Sequence, residues 1–128
     1  MADDSIEKLG WELVSAVERN EVSPDTFIIP SETIRSSLKR GDAAKILFDI
    51  ETKEDGIVVD RGVDRMWVIV TSVTVTGYIG VLDSNPGYAE NLKLAQGDLI
   101  EFGADHVCEI DTPPTEYLLK EYAQFFSR

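Results

Sequence analysis

Apolar side chains recur at helical spacing near the start of the chain and predict an N-terminal helix of about four turns. Asp4 and Glu7 occupy the positions of a capping pair at its beginning. Apolar residues then repeat every three or four positions on one helical face: Ile6, Leu9, Leu13 and Val17. Trp11 lies off this face, so it either packs against a neighbouring loop or is an exposed anchor for a partner.

The strongest strand signal lies at residues 66–73, where apolar residues occupy both alternating faces. Such a strand is central and covered on both sides. Further strands are predicted at 43–50, 78–82, 99–102 and 106–110, with a hairpin turn at Thr76 and Gly77. Residues 51–64 predict a charged, mobile loop around a weaker strand at 57–59. A short helix is predicted at 31–38, and a last helix follows Pro113 with a hydrophobic face that must dock.

A repeated Leu-x-x-Gly-Asp pattern precedes two of the strands, at residues 38–42 and 94–98. We expect a tight turn at each place, in which the leucine is anchored in the core, the glycine has a positive φ, and the aspartate side chain accepts backbone N–H groups.

These elements predict an α+β fold. Its sheet would be strongly curved, mainly antiparallel and built from five or six strands, or closed as a small β-barrel, with an N-terminal and a C-terminal helix packed on it. The length of 128 residues is typical of a single domain. We therefore expect one domain, 1–128, in which an N-terminal helix at 1–22 is appended to a β-rich core at 23–128.

The charge of the chain restricts its partners. Twenty-four acidic residues against 12 basic ones give a net charge of −12, which disfavours nucleic acid because phosphates must be neutralised by Lys and Arg. A protein partner, in particular a basic one, is the expectation, although acidity also serves solubility. No apolar run reaches the ~20 residues of a membrane span. With the single cysteine, Cys108, this predicts a cytoplasmic protein without a membrane partner; the oligomeric state is not predicted.

Several motifs resemble the bacterial domain-of-unknown-function family 2314. The most specific are Arg-Met-Trp-Val at 65–68 and Gly-Val-Leu-Asp-Ser-Asn-Pro at 80–86, followed by the turn at 94–98. The resemblance covers about residues 27–115. It implies a compact, β-rich bacterial domain, associated in some members with polymorphic-toxin immunity and without an established activity or catalytic residues. The N-terminal helix and residues 51–60 lie outside the pattern.

No catalytic residues, metal ligands or cofactor are predicted. His106 and Cys108 would share a strand face, but Asp105 and Glu109 would oppose a thiolate there. No spacing typical of a metal site is present. Gly77 and Gly80 lie in a hairpin, where a phosphate-binding loop is not found.

A binding surface remains the favoured interpretation, with these candidate residues: Arg65, Trp67, Asp83, Asn85, His106 and Trp11. Arg65 is alternatively a structural ion-pair partner of a neighbouring aspartate. We expect a non-enzymatic protein-binding module. One alternative is an immunity-type inhibitor whose acidic surface occludes a basic toxin such as a nuclease; another is a small hydrolase or ligand-binding enzyme that uses His106 with nearby carboxylates.

Overall fold

The computed structural model of the protein describes residues 5–127. Six antiparallel strands form one sheet that curls into a half-barrel, with short helices at both ends, so the predicted α+β fold is confirmed. The elements are α1 (Ser5–Leu9), β1 (Trp11–Val14), α2 (Ala16–Val22), α3 (Glu32–Arg35), β2 (Ala43–Glu54), β3 (Ile57–Val73), β4 (Tyr78–Leu82), β5 (Leu99–Phe102), a 3₁₀ turn (Ala104–His106), β6 (Val107–Asp111), α4 (Thr115–Glu121) and α5 (Ala123–Phe126). Within this part of the chain, no helix is both long and apolar enough to cross a membrane.

Strand β2 is the centre of the sheet. Strand β3 pairs along the whole of one edge, from Ala43 opposite Ile69 to Glu54 opposite Ile57. The other edge is shared by two strands: β6 pairs with residues 43–46 and β1 with residues 47–50. From β3 the sheet continues through β4 to β5.

The predicted four-turn N-terminal helix is wrong. Its first residues, up to Asp4, lie outside the described residues; helix α1 ends at Leu9, and Gly10 turns the chain with a φ of +82°. Residues Trp11–Val14 then form an edge strand on β2, and a second helix starts after Ser15, whose Oγ accepts the N–H of Glu18. The physical reason is burial, because the Trp11 ring packs 5.6 Å from the ring of the core residue Phe48.

The charged loop predicted at residues 51–64 is also wrong, because these residues extend β2 and β3 into a long hairpin. The strand predicted within it at 57–59 is present as the first part of β3. Asp55 and Gly56 form its turn, with φ values of +53° and +78°, as a two-residue hairpin turn requires. The Glu90 carboxylate accepts the N–H groups of both turn residues and so ties the hairpin tip to the loop that follows β4.

The two repeated turns are confirmed. Gly41 and Gly97 have φ values of +98° and +97°. The Asp42 carboxylate accepts the N–H of Lys39, and Asp98 accepts that of Ala95 in the same way. The leucines at positions 38 and 94 are both buried in the core on the concave face of the sheet.

Two smaller clusters cover the convex face. The predicted C-terminal helix docks as expected, but as α4 and α5, with Leu118 and Tyr122 packed on Ala43, Ile69 and Val81. At the other end, Ala16 of α2 packs with Leu47 and Cys108, together with partly buried side chains that include Phe27 and Ile29.

Gly10 offers a test of the N-terminal turn. A Cβ atom there would lie 2.8 Å from the Asn91 carbonyl oxygen, whereas one at Gly56, which also has a positive φ, would meet nothing within 4 Å. Gly56→Ala should cost about 1 kcal/mol of unfolding free energy, for the left-handed conformation alone. Gly10→Ala should cost about 1–3 kcal/mol more, because of overpacking. Urea unfolding of both variants measures the difference, and equal losses would contradict the close packing.

Candidate functional site

A groove on the convex face brings together two of the predicted binding residues, Trp67 and Asp83. Its volume is about 240 Å³. We call it the Trp67 groove, and its lining residues are Ala43, Trp67, Asp83, Asp111, Pro113, Pro114 and Tyr117.

Backbone pairing fixes the position of both predicted residues. Trp67 lies on β3, and its carbonyl oxygen accepts the N–H of Asp83, the residue that follows β4. The Trp67 N–H donates to Ser84 Oγ at 3.1 Å. The loop after β4 is thus fastened to β3 directly beside the tryptophan.

The other wall comes from the end of β6 and the start of α4. Asp111 is the last residue of β6, and two prolines lead from there into the helix. Proline at these positions sets an extended backbone and removes donors that the helix start would leave unpaired. This rigid connection places Tyr117, in the first turns of α4, across from Asp83.

Asp83 is held by two tyrosines. Its Oδ1 atom accepts the hydroxyl of Tyr117 at 2.7 Å and that of Tyr122 at 2.5 Å. The Tyr122 hydroxyl also accepts a hydrogen bond from Gln96 Nε2 at 3.3 Å. The network joins the loop after β4 to the C-terminal helix and fixes the orientation of the carboxylate.

The network perturbs both phenols. The hydrogen bond to Asp83 raises the pKa of Tyr117, and burial, with the same hydrogen-bond partner, raises the pKa of Tyr122 to about 12. Each hydroxyl therefore stays protonated at neutral pH and remains a hydrogen-bond donor to Asp83.

Trp67 already contacts one cation of its own chain. The Lys45 ammonium lies 5.0 Å from the centroid of the Trp67 ring and 3.6 Å from a carboxylate oxygen of Glu109. An indole face and a carboxylate attract a basic group by cation–π and Coulomb interactions. Because the groove offers the same indole with the carboxylates of Asp83 and Asp111, its chemistry suits an ammonium or guanidinium group.

The other binding candidates lie elsewhere. Trp11 is partly buried against the core and donates from Nε1 to the Lys93 carbonyl oxygen at 3.0 Å. Of the two alternatives predicted for Trp11, the structure therefore has packing against a neighbouring loop. Arg65 lies over the Phe27 ring at 5.4 Å, and no ion pair with a neighbouring aspartate is present among residues 5–127. Asn85 closes its own loop by accepting the N–H of Gly87.

His106 and Cys108 do not form a nucleophilic pair. The His106 Nδ1 atom accepts the Gly103 N–H at 3.0 Å, and burial lowers the pKa of the imidazole. Burial raises the pKa of the Cys108 thiol to about 11, and its sulfur approaches the carbonyl oxygen of His106 at 3.9 Å. His106 instead lines a separate shallow cleft with Glu101, and the hydrolase alternative stays a prediction. Residues 5–127 contain no group of three or more His, Cys, Asp or Glu side chains placed to hold a metal ion.

Comparison with known proteins found no matching family model, no matching curated protein and no matching solved structure. The resemblance to family 2314 therefore stays a prediction.

Four residues of the site were missed from the sequence: Lys45, Asp111, Tyr117 and Tyr122. For the last helix, the sequence predicts only that its hydrophobic face docks. Both tyrosines bond to a carboxylate more than 30 residues earlier in the chain. No local sequence pattern indicates a hydrogen bond between residues so far apart in the chain.

The raised tyrosine pKa values predict an alkaline loss of stability. Because Tyr122 titrates near pH 10.0 when unfolded and at about 12 when folded, its contribution is complete below pH 10.0 and declines as the pH rises towards 12. Unfolding free energy from urea titrations should fall over this range and fall less steeply in Tyr122→Phe. Identical slopes in both proteins would contradict the network.

The raised pKa of Cys108 predicts slow alkylation. Against a reference value of 9.0, a pKa of about 11 leaves roughly a hundredfold less thiolate at pH 8. Iodoacetamide labelling followed by mass spectrometry should therefore be at least about a hundredfold slower in the native protein than in urea. Comparable rates would show that the thiol is ionised in the native state.

Proposed function

We propose that this protein is a non-enzymatic protein-binding module that receives a basic side chain of its partner in the Trp67 groove. The observation that carries the proposal is the convergence of Trp67, Asp83 and Asp111 on one groove. An aromatic ring with two carboxylates suits a lysine or arginine side chain.

The charge of the whole chain supports this choice of partner. A net charge of −12 attracts a basic protein over a distance of about one Debye length, ~10 Å at 0.1 M salt. The groove then supplies a local contact whose geometry is fixed by the Asp83 network. Long-range attraction and short-range recognition favour the same class of partner.

The test is capture of native proteins on the immobilised chain, with identification by mass spectrometry. Wild type should retain basic proteins at low salt and release them as salt screens the attraction. The variant Asp83→Asn with Asp111→Asn should retain them about tenfold less, because both negative charges are removed. The amide at position 83 keeps an acceptor oxygen for Tyr117 and Tyr122.

A control variant removes the same charge elsewhere. Glu21→Gln with Asp25→Asn changes two exposed side chains near the end of α2. It should retain the same proteins as wild type. Equal losses in both double variants would show that total charge, not the groove, determines binding, and retention of nothing at low salt would refute the proposal.

An inhibitor that occludes a basic toxin is a narrower form of the same proposal, supported by the net charge. The captured protein would then be a toxin, such as a nuclease. Its activity should fall on addition of wild-type protein and recover with the double variant at positions 83 and 111.

A further inference from the structure

Strand β3 has an open edge. Its nine residues from Ile57 to Arg65 are all exposed, and β4 pairs only from Val68 onwards. Four of the nine are apolar: Ile57, Val58, Val59 and Val63, which are exposed by 68%, 48%, 52% and 36%. An open strand with exposed branched side chains is a template for pairing with another chain.

The hydrogen-bond pattern shows which backbone groups face outwards. Both backbone groups of Val70 bond to residues on the β2 side, Gly41 and Asp42, whereas both groups of Trp67 bond to Asp83 and Ser84 on the β4 side. Because this direction alternates along an antiparallel strand, Arg61, Val63 and Arg65 direct their N–H and C=O groups to the open edge. Within residues 5–127, none of these six groups has a hydrogen-bond partner.

The charges along the edge favour one kind of occupant. Arg61 is engaged by Asp49 at 3.0 Å and by Glu51 at 3.9 Å, and Arg65 lies over Phe27. Asp60 and Asp64, in contrast, have no ion-pair partner in the described part of the chain. Both line a concave cleft of about 210 Å³ on the inner side of this edge, so the free charge there is negative.

We propose that the β3 edge binds an extended segment of a partner protein by strand addition, and that lysine or arginine side chains of the segment pair with Asp60 and Asp64. The two carboxylates lie four residues apart on one face of the strand, so basic residues at alternate positions of the segment reach both. Apolar residues between them contact Val63 on the other face.

A second copy of this chain that pairs about Gly62 does not suit the edge. A two-fold axis at Gly62 would place Asp60 of each copy opposite Asp64 of the other, and like charges directly opposite are unfavourable. A basic segment removes this repulsion. The proposal concerns a different surface from the Trp67 groove and does not depend on the proposed function.

The test uses three synthetic octapeptides with the full-length, isotope-labelled protein. The first alternates valine and lysine, the second alternates valine and glutamate, and the third has four lysines followed by four valines. Only the first should shift the amide signals of Arg61, Val63 and Arg65 and slow their hydrogen exchange, because only it combines positive charge with strand periodicity.

A proline variant separates strand addition from simple charge attraction. Val63→Pro removes an N–H that faces the open edge, a position where a strand tolerates proline. Binding of the valine–lysine peptide should weaken by about tenfold or more, because at least one interstrand hydrogen bond is lost and the ring hinders close approach. Val63→Ala keeps the N–H and should bind within about threefold of wild type.

A second variant covers the case in which Val63→Pro does not fold. Asp60→Asn with Asp64→Asn keeps the strand and should weaken binding at low salt by about tenfold, while the Glu21→Gln, Asp25→Asn control binds as wild type. Four outcomes would each overturn the proposal. They are amide shifts confined to the Trp67 groove, equal binding of the third peptide (four lysines followed by four valines), no amide shifts at millimolar peptide, and self-association of the protein through the β3 edge.

Discussion

Strand β2 makes hydrogen bonds along both edges, and the placement of every surface described above depends on that pairing. One edge carries β3 throughout, while the other is divided between β6 and β1. Beyond β1, the side chain of Asn91 continues the pairing by binding the Lys53 N–H and the Glu51 carbonyl oxygen. The long hairpin is therefore supported on its β2 side and left open on its β3 side.

The register of β2 with β3 also explains why the Trp67 groove exists. On the convex face, the pair Lys45–Trp67 lies between two other pairs. The C-terminal helix covers Ala43 and Ile69 on one side, and Leu47 on the other side is covered by Ala16 of α2. The groove over Trp67 lies between these two packed regions, at the border of the C-terminal helices. Its carboxylates come from the loop after β4, which contains Asp83, and from the end of β6, which contains Asp111.

The sequence predicted the elements whose periodicity is unambiguous and failed where two periods coincide. Residues 66–73 were predicted as a two-faced central strand, and the structure has Val68 in the concave core and Ile69 in the convex cluster. Leu9 and Leu13 fit a helical repeat, but Trp11 and Leu13 also alternate as a strand, and packing on Phe48 decides for the strand. Of the site, the sequence identified Trp67 and Asp83; the tyrosines that hold Asp83 are brought there only by the docking of α4.

Four arginines are engaged within the fold, and this leaves negative charge on the surfaces described above. Arg35 is buried and donates to the carbonyl oxygens of Pro30 and Ala104, and Arg40 lies on the Phe126 ring and donates to the Phe125 carbonyl oxygen. With Arg61 and Arg65 engaged as well, much of the positive charge stabilises the fold. Within residues 5–127, no ion pair engages the carboxylates of Asp60, Asp64 and Asp111. The open edge ends where Ser84 bonds to Trp67, beside Asp83, so a basic segment paired with residues 61–65 would end next to the Trp67 groove.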